Sequence, residues 1–242
     1  MQRYFVEASN IKLDQVKIIG PDVHHIRNVM RLGVGDVISV CPNDGSFSHA
    51  KITSIEKTFV ISQIKETLST PKRSYEITIA QALIKKDRFE LFLEKATELG
   101  VDKIIPTRFE RSIVKVDSDK AVGKTERYRM IVKEASEQSE RTILPIITDV
   151  ENLVDIKFKE YDHVLFASER NQEARPLGGF LSNNTHQGKV LVLICPEGGI
   201  TNREIAILSE KGALPISLGP RILRSETAGI MVLSAFLSQW GE

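Results

Sequence analysis

Residues 190–194, Val-Leu-Val-Leu-Ile, are apolar at every position, on both alternate faces. A strand of that composition must be covered on both sides, which puts it in the middle of a parallel sheet flanked by helices. The run ends in Cys195-Pro-Glu-Gly-Gly199, and Thr201 with Glu204 spells a capping box for a helix. The pattern then repeats. Ile216-Ser-Leu218 is a short strand, Gly219-Pro-Arg-Ile-Leu-Arg224 a bend, and Glu226 to Trp240 an apolar helix. Two such units in tandem place two backbone-lined loops at the same end of one sheet, where open α/β folds bind cofactors.

Upstream, the chain has two regions of different period. From Tyr75 strands and helices alternate: Tyr75–Ala80 is a strand, and Phe89, Phe92, Leu93, Ala96 and Leu99 mark one face of a helix. Asp87 with Glu90 is expected to cap that helix, and Gly100 to end it. Val101–Ile105 and His163–Ala167 are strands, Thr125–Ser139 a more polar helix, and Gly212 closes the helix opened at Thr201. Before about Ile64 the runs are short and β-rich: Tyr4–Val6, Val37–Val40, Ala50–Ile52 and Phe59–Ile61, punctuated by Gly33, Gly35 and Pro42-Asn-Asp-Gly45. One helix, Asp22 to Met30, interrupts them. That spacing predicts a small β-barrel. Glu66 to Ser74 is polar and proline-bearing and reads as the linker, giving domains 1–68 and 74–242.

With 242 residues, 41% apolar and 27% charged, an ordinary core is expected; the net charge of +1 neither favours nor excludes a nucleic-acid partner. Cys41 and Cys195 have no His or Cys at metal spacing, so neither a disulfide framework nor a metal site is expected. Met1–Val6 lacks a signal peptide's apolar core, and no apolar run reaches membrane length, so a soluble cytoplasmic protein is expected. The dinucleotide fingerprint G-x-G-x-x-G, the P-loop, the G-x-S-x-G elbow and H-E-x-x-H are all missing, and Gly33-Val-Gly35 reads as a turn. What remains is the pair of glycine bends. Glycine there lets the main chain approach a ligand and read an adenine ring with its own N–H and C=O groups. For the first bend alone there is a plainer reading, that Gly198 and Gly199 only turn the chain into a helix. The arginines and acid of the second bend weigh against it.

Together, Cys195-Pro-Glu-Gly-Gly199 and Leu218-Gly-Pro-Arg-Ile-Leu-Arg-Ser-Glu-Thr-Ala228 resemble the signature of the ribosomal RNA small subunit methyltransferase E family, within the SPOUT superfamily. Arg3-Tyr-Phe-Val6, His24-His-Ile-Arg-Asn-Val-Met-Arg31 and Gly35-Asp36 resemble its PUA-like RNA-binding module. Glu94–Val101, Glu110-Arg-Ser112 and Glu134–Arg141 resemble its central blocks, so the likeness is nearly full length. The family commonly has glycine where this chain has Cys195, and an aromatic where it has Ile200.

The resemblance implies an α/β knot at the C-terminus, a homodimer with the knotted region at its interface, and S-adenosyl-L-methionine as cofactor, with no metal; the apolar terminal helix fits that interface and equally an ordinary core. It implies methyl transfer to N3 of a uridine of 16S ribosomal RNA, position 1498 in the bacterial convention, so the small ribosomal subunit is the partner. Carried onto this chain, the cofactor lies against Leu193, Cys195, Pro196, Glu197, Gly198 and Gly199 of the first bend. From the second it meets Leu218, Gly219, Ile222, Leu223, Arg224, Thr227 and Ala228. Arg224 first, then Arg221, is expected to stabilise the uracil anion, and Glu197 or Glu226 to take the proton or orient an arginine. A structural role for Glu226, as helix cap or ion pair, is an equal alternative. Arg3, Arg27, Arg31, Lys85, Lys86, Arg88, Arg111 and Arg141 are the candidate RNA contacts. Rival readings are ribose 2′-O-methylation, a non-catalytic RNA-binding assembly factor and, more distantly, a nicotinamide-dependent dehydrogenase.

Overall fold

The computed structural model describes the chain except residues 113, 115–117, 169, 170, 172, 185 and 242, and gives only the backbone for residues 118–124. The chain divides into two units, residues 1–72 with 136–144, and residues 73–135 with 145–242.

The first unit is built on β1 (Arg3–Phe5), β2 (Ile11–Lys12), β3 (Gln15–Ile19), β4 (Val37–Cys41), β5 (Ser46–Ile55) and β6 (Phe59–Ser69), in the sheet order β1-β4-β5-β6-β3-β2. All pairs are antiparallel except β1 with β4. Register shifts after His49 and Ile52 mark bulges in the β5–β6 hairpin, and bulges bend and twist a ribbon enough to curl it into a PUA-like half-barrel. Alternate residues of β3, Val16 and Ile18, point into a core completed by Tyr4, Ile26, Ile38, Val40, Ile52 and Val60. The helix expected from Asp22 is present as α1 (Pro21–His24) and a π-turn over His25–Val29. β6 runs on to Ser69, beyond the linker boundary read from composition, so Glu66–Ser69 is strand. β2 and β3 are missing from the sequence reading: β2 has two residues and only pairing defines it, while β3 shows its alternation in just Val16 and Ile18.

The second unit is a parallel sheet: β7 (Tyr75–Ala82), β8 (Lys103–Arg108), β9 (Ile146–Ile147), β10 (Glu151–Asn152), β11 (His163–Ala167), β12 (Arg175–Pro176), β13 (Gly188–Ile194) and β14 (Leu214–Ser217). Its order is β10-β8-β7-β13-β11-β14-β12, with β9 beside β8. β13 is inserted between β7 and β11, so the winding reverses there, and the crevice above a reversal is where such sheets bind ligands. The double-sided apolar run accounts for this placement. Val190, Val192 and Ile194 enter one core, Leu191 and Leu193 the other. Burying each such side chain contributes about 1.5–3 kcal/mol, and only a central strand buries both faces.

The helices are α2 (Lys86–Glu98), α3 (Ser118–Gln138), α4 (Leu177–Asn183), α5 (Asn202–Glu210) and α6 (Ser225–Trp240). The anticipated face of α2 is buried, with Phe89, Phe92, Leu93 and Ala96 at 0% exposure. Its expected cap is not formed: the helix begins before Asp87, behind Lys85, and Glu90 pairs with Arg127 instead of reaching back. At α5 both halves of the Thr201–Glu204 capping box are present. After β14, at the β11 side of the sheet, α6 returns to pack on α2, β7 and β13. A side chain at Gly229 would put its Cβ 2.5 Å from Phe92, so the α2–α6 approach requires glycine. Among the described residues no helix is long and apolar enough to cross a membrane, and no cluster of His, Cys, Asp and Glu has metal-ligand spacing.

Candidate functional site

Gln81 is the one polar residue in Ala80-Gln-Ala82, where β7 ends, and it is fully buried. Its Nε2 donates to Ser225 Oγ at 2.8 Å, and Ser225 Oγ donates to the Cys195 carbonyl at 2.7 Å. One relay therefore joins the end of β7, the first bend and the first turn of α6. Each link is worth about 0.5–1.5 kcal/mol net, yet deleting the middle hydroxyl would strand buried groups on both sides.

Arg88, at the start of α2, lies between two carboxylates. Its Nη1 is 3.3 Å from Glu197 Oε1 on the first bend, and its Nε is 3.7 Å from Glu226 Oε1 at the start of α6. The two acids differ in burial: the Glu197 side chain is 28% exposed, that of Glu226 only 8%. In this unit the buried side-chain polar atoms without a hydrogen-bond partner, among the described residues, are Gln81 Oε1 and Glu226 Oε2. Buried polar atoms are nearly always paired, so two unpaired acceptors at one sheet end point to a ligand that supplies donors.

The first bend is fixed from outside. Arg111 Nη1 donates to the Gly198 carbonyl at 3.2 Å, and a Cβ on Gly198 would lie 2.9 Å from Arg111 Cβ and 3.1 Å from its carbonyl oxygen. Glycine at 198 is required by that backbone approach, which goes beyond a simple turn. The buried Glu204 accepts from Glu110 N through Oε1 and from Thr201 N through Oε2, so one carboxylate pins the 110–112 block to the bend. The second bend is looser. Gly219 has φ +112° with open space around it; Arg221, Ile222 and Arg224 are exposed, and Leu223 packs partly on the core.

The expected residues thus fall into three groups. Cys195, Pro196, Glu197, Gly198 and Gly199, with Leu218, Gly219, Leu223 and Arg224, lie on the two bends above the sheet, while exposed Thr227 and buried Ala228 follow on α6. Cys195 Sγ donates to the Ala167 carbonyl at 3.2 Å, so the residue that stands where the family commonly has glycine is held by β11. Leu193 differs: its side chain is fully buried in the sheet core, leaving only its backbone toward a ligand. Arg88, expected to meet phosphate, is turned between Glu197 and Glu226, while Lys85 and Lys86 stay exposed. In the first unit Arg3 is 5% exposed, its guanidinium 4.7 Å from the Phe47 ring centre and 3.9 Å from Glu140, so it is spent on packing. Arg27 bonds the Glu56 carbonyl, Arg141 bonds that of Ile143, and Arg31 is exposed. Gln81 and Ser225 were missed. The available signal was a lone amide in the apolar run Ile79-Ala-Gln-Ala-Leu-Ile84.

Two family models cover this chain: one described as RNA methyltransferase domain matches residues 71–237, and one described as RNA methyltransferase PUA domain matches residues 18–65. The chain is 36% identical over 251 residues to ribosomal RNA small subunit methyltransferase E of Bacillus subtilis, covering 99% of this chain and 97% of that one. It is 36% identical over 214 residues to the enzyme of the same name from Rickettsia conorii, covering 88% and 84%. The crystal structure of the Neisseria gonorrhoeae protein of that name, bound to S-adenosyl methionine, superposes with a TM-score of 0.87 at 28% identity, covering 99% and 98%.

Proposed function

This chain belongs to the ribosomal RNA small subunit methyltransferase E family and is an S-adenosyl-L-methionine-dependent ribosomal RNA methyltransferase; from that premise we propose that it methylates N3 of a uridine in 16S RNA. The observation that carries the reading is the cluster at the carboxyl end of the sheet, where two glycine bends meet two unpaired buried acceptors. The residues fit the cofactor. Exposed backbone at Gly198 and Gly219 can approach an adenosine closely, Ile200, Leu218 and Leu223 offer apolar walls, and Gln81 Oε1 has unused lone pairs.

When bound, S-adenosyl-L-methionine supplies a methyl group already activated as a sulfonium, which leaves the chain's residues to align the base and manage one proton. Arg224, with Arg221 beside it, supplies exposed cations to the uracil carbonyls as negative charge develops there. Glu197 and Glu226 are the two nearby acids, already sharing Arg88. The target base must leave its stack to reach them. RNA phosphates are taken by exposed Arg27, Arg31, Lys85, Lys86 and Arg111, with Arg141, while Arg3 serves packing. Exposed Met231, at 41%, suits a homodimer formed along α6, and the return of α6 from β14 over β7 and β13 suits a knotted chain.

Mass spectrometry of ribosomal RNA nucleosides, from cells with and without this protein, tests the proposal. Loss of 3-methyluridine is expected. Loss of an alkali-resistant dinucleotide instead would show ribose methylation and end the N3 assignment.

A further inference from the structure

We infer that Glu226 Oε2 is the group that receives the N3 proton, and that Arg88 is the positioning residue that keeps this carboxylate aimed. The inference deepens the uridine-N3 reading and rests on it. Four observations carry it. Glu226 is 6% exposed, and while Oε1 faces Arg88, the buried Oε2 has no partner. An ionised carboxylate has room for several donors, and leaving one oxygen dry and unpaired is costly unless a ligand N–H completes it. Glu226 lies in the first turn of α6, where the helix dipole favours a negative charge. Glu197 meets the same guanidinium from a more exposed position, which suits a counter-ion to Arg88 better than a desolvated base. Arg224 is the N-cap residue of the same helix, so a cation for a uracil carbonyl and an acceptor for the adjoining N3–H come from one turn.

The step balances. The N3–H bond breaks with its proton passing to Glu226 Oε2, and the electron pair left on N3 forms the bond to the methyl carbon. The carbon–sulfur bond breaks with its pair left on sulfur, and the proton later leaves the carboxyl to solvent. A carboxylate acceptor also discriminates chemically: cytosine offers a lone pair at N3 where uracil offers a proton.

Glu226 faces Arg88 from α2 and, across that guanidinium, Glu197 from the first bend. Arg88 holds Oε1 and so fixes where Oε2 points; its removal should leave the acceptor misaligned. Three measurements on the full-length protein, with small-subunit particles as substrate, test this. Glu226→Gln should bind S-adenosyl-L-methionine normally by calorimetry yet lose about 100-fold or more in kcat. Should the glutamine variant not fold, Glu226→Asp keeps the charge but withdraws the oxygen, and should again lower kcat with affinity retained. Arg88→Ala should lower kcat by about 10-fold or more with S-adenosyl-L-methionine affinity retained, and Arg88→Lys should restore part of it. In the infrared spectrum of the cofactor-free protein, the Glu226 carboxylate band, assigned by subtracting the glutamine spectrum, should be displaced in Arg88→Ala without turnover. Lost cofactor affinity at normal saturated kcat would assign Glu226 to the cofactor and overturn the inference. So would a kcat or a carboxylate band unchanged in Arg88→Ala. If the unsubstituted protein makes no 3-methyluridine, the N3 reading fails by itself, and the infrared displacement still decides whether Arg88 governs Glu226.

Discussion

The two ends of the parallel sheet are built from the same strands but finished differently. At the amino end polar groups are paired. Arg73 donates to the Gly100 carbonyl at 2.8 Å and to Asp102 at 2.7 Å, Asp102 accepts from Ile77 N, and Trp240 Nε1 donates to the Leu181 carbonyl at 3.0 Å. Trp240 also packs against Tyr75, Phe180, His186 and Phe236. The carboxyl end has the relay through Ser225, one arginine divided between two acids, and the two unpaired acceptors. The amino end is thus a finished lock that holds the terminal helix. The carboxyl end is left chemically incomplete, and incompleteness in an otherwise well-paired unit is what marks a binding site.

The contrast predicts that substitutions at the two ends change different observables. Trp240→Ala should cost about 3–5 kcal/mol of stability, read from urea unfolding, while cofactor affinity stays normal well below the transition. A stable variant with poor affinity would break the contrast. Arg224→Ala should do the reverse: kcat falls by about 10²–10³, the range for losing one charge-stabilising donor, and the unfolding midpoint stays put because the side chain is exposed. If turnover and affinity both stay normal, its catalytic role is wrong. Ser225→Ala lies between. It should cost about 1–3 kcal/mol by stranding Gln81 Nε2 and the Cys195 carbonyl, and it should weaken cofactor binding because the first bend loses its tie to α6. Unchanged affinity in calorimetry would show that the bend holds without the relay.

How much of this could be read from the chain follows the range of each signal. Val190–Ile194 announced a central strand because burial on both faces is written in five adjacent residues, and the capping box needs only Thr201 and Glu204. The shortest elements were nearly silent: α4 and the two-residue strands β9, β10 and β12 have no period of their own and exist through their neighbours. Asp87 had the right spacing to Glu90 for a cap, but Glu90 found a better partner in Arg127, a tertiary contact that local spacing cannot contain. Arg88 is the sharpest case. Glu197 and Glu226 are more than a hundred residues away in sequence, and only the strand order brings both carboxylates to one guanidinium.

That same tertiary contact sets the smallest prediction and guards the largest claim. Glu90 accepts from Arg127 Nε at 2.5 Å and Nη2 at 2.8 Å, and the hydrogen-bonded guanidinium holds its carboxyl below the ordinary carboxylate range. A group whose folded value is depressed contributes stability above its unfolded value, and that contribution fades as pH falls through the folded value. Stability should therefore decline slightly on the acid side, and Arg127→Met should flatten that decline by a small amount, because Arg127 is exposed and salt screens the pair. Unfolding midpoints measured from neutral to acid pH, with and without added salt, check it. Arg127→Met should leave kcat at neutral pH where it was, since turnover belongs to groups at the carboxyl end. If removing Arg127 lowered kcat as well, the pair would support the site through α2 and the separation of the two ends would fail.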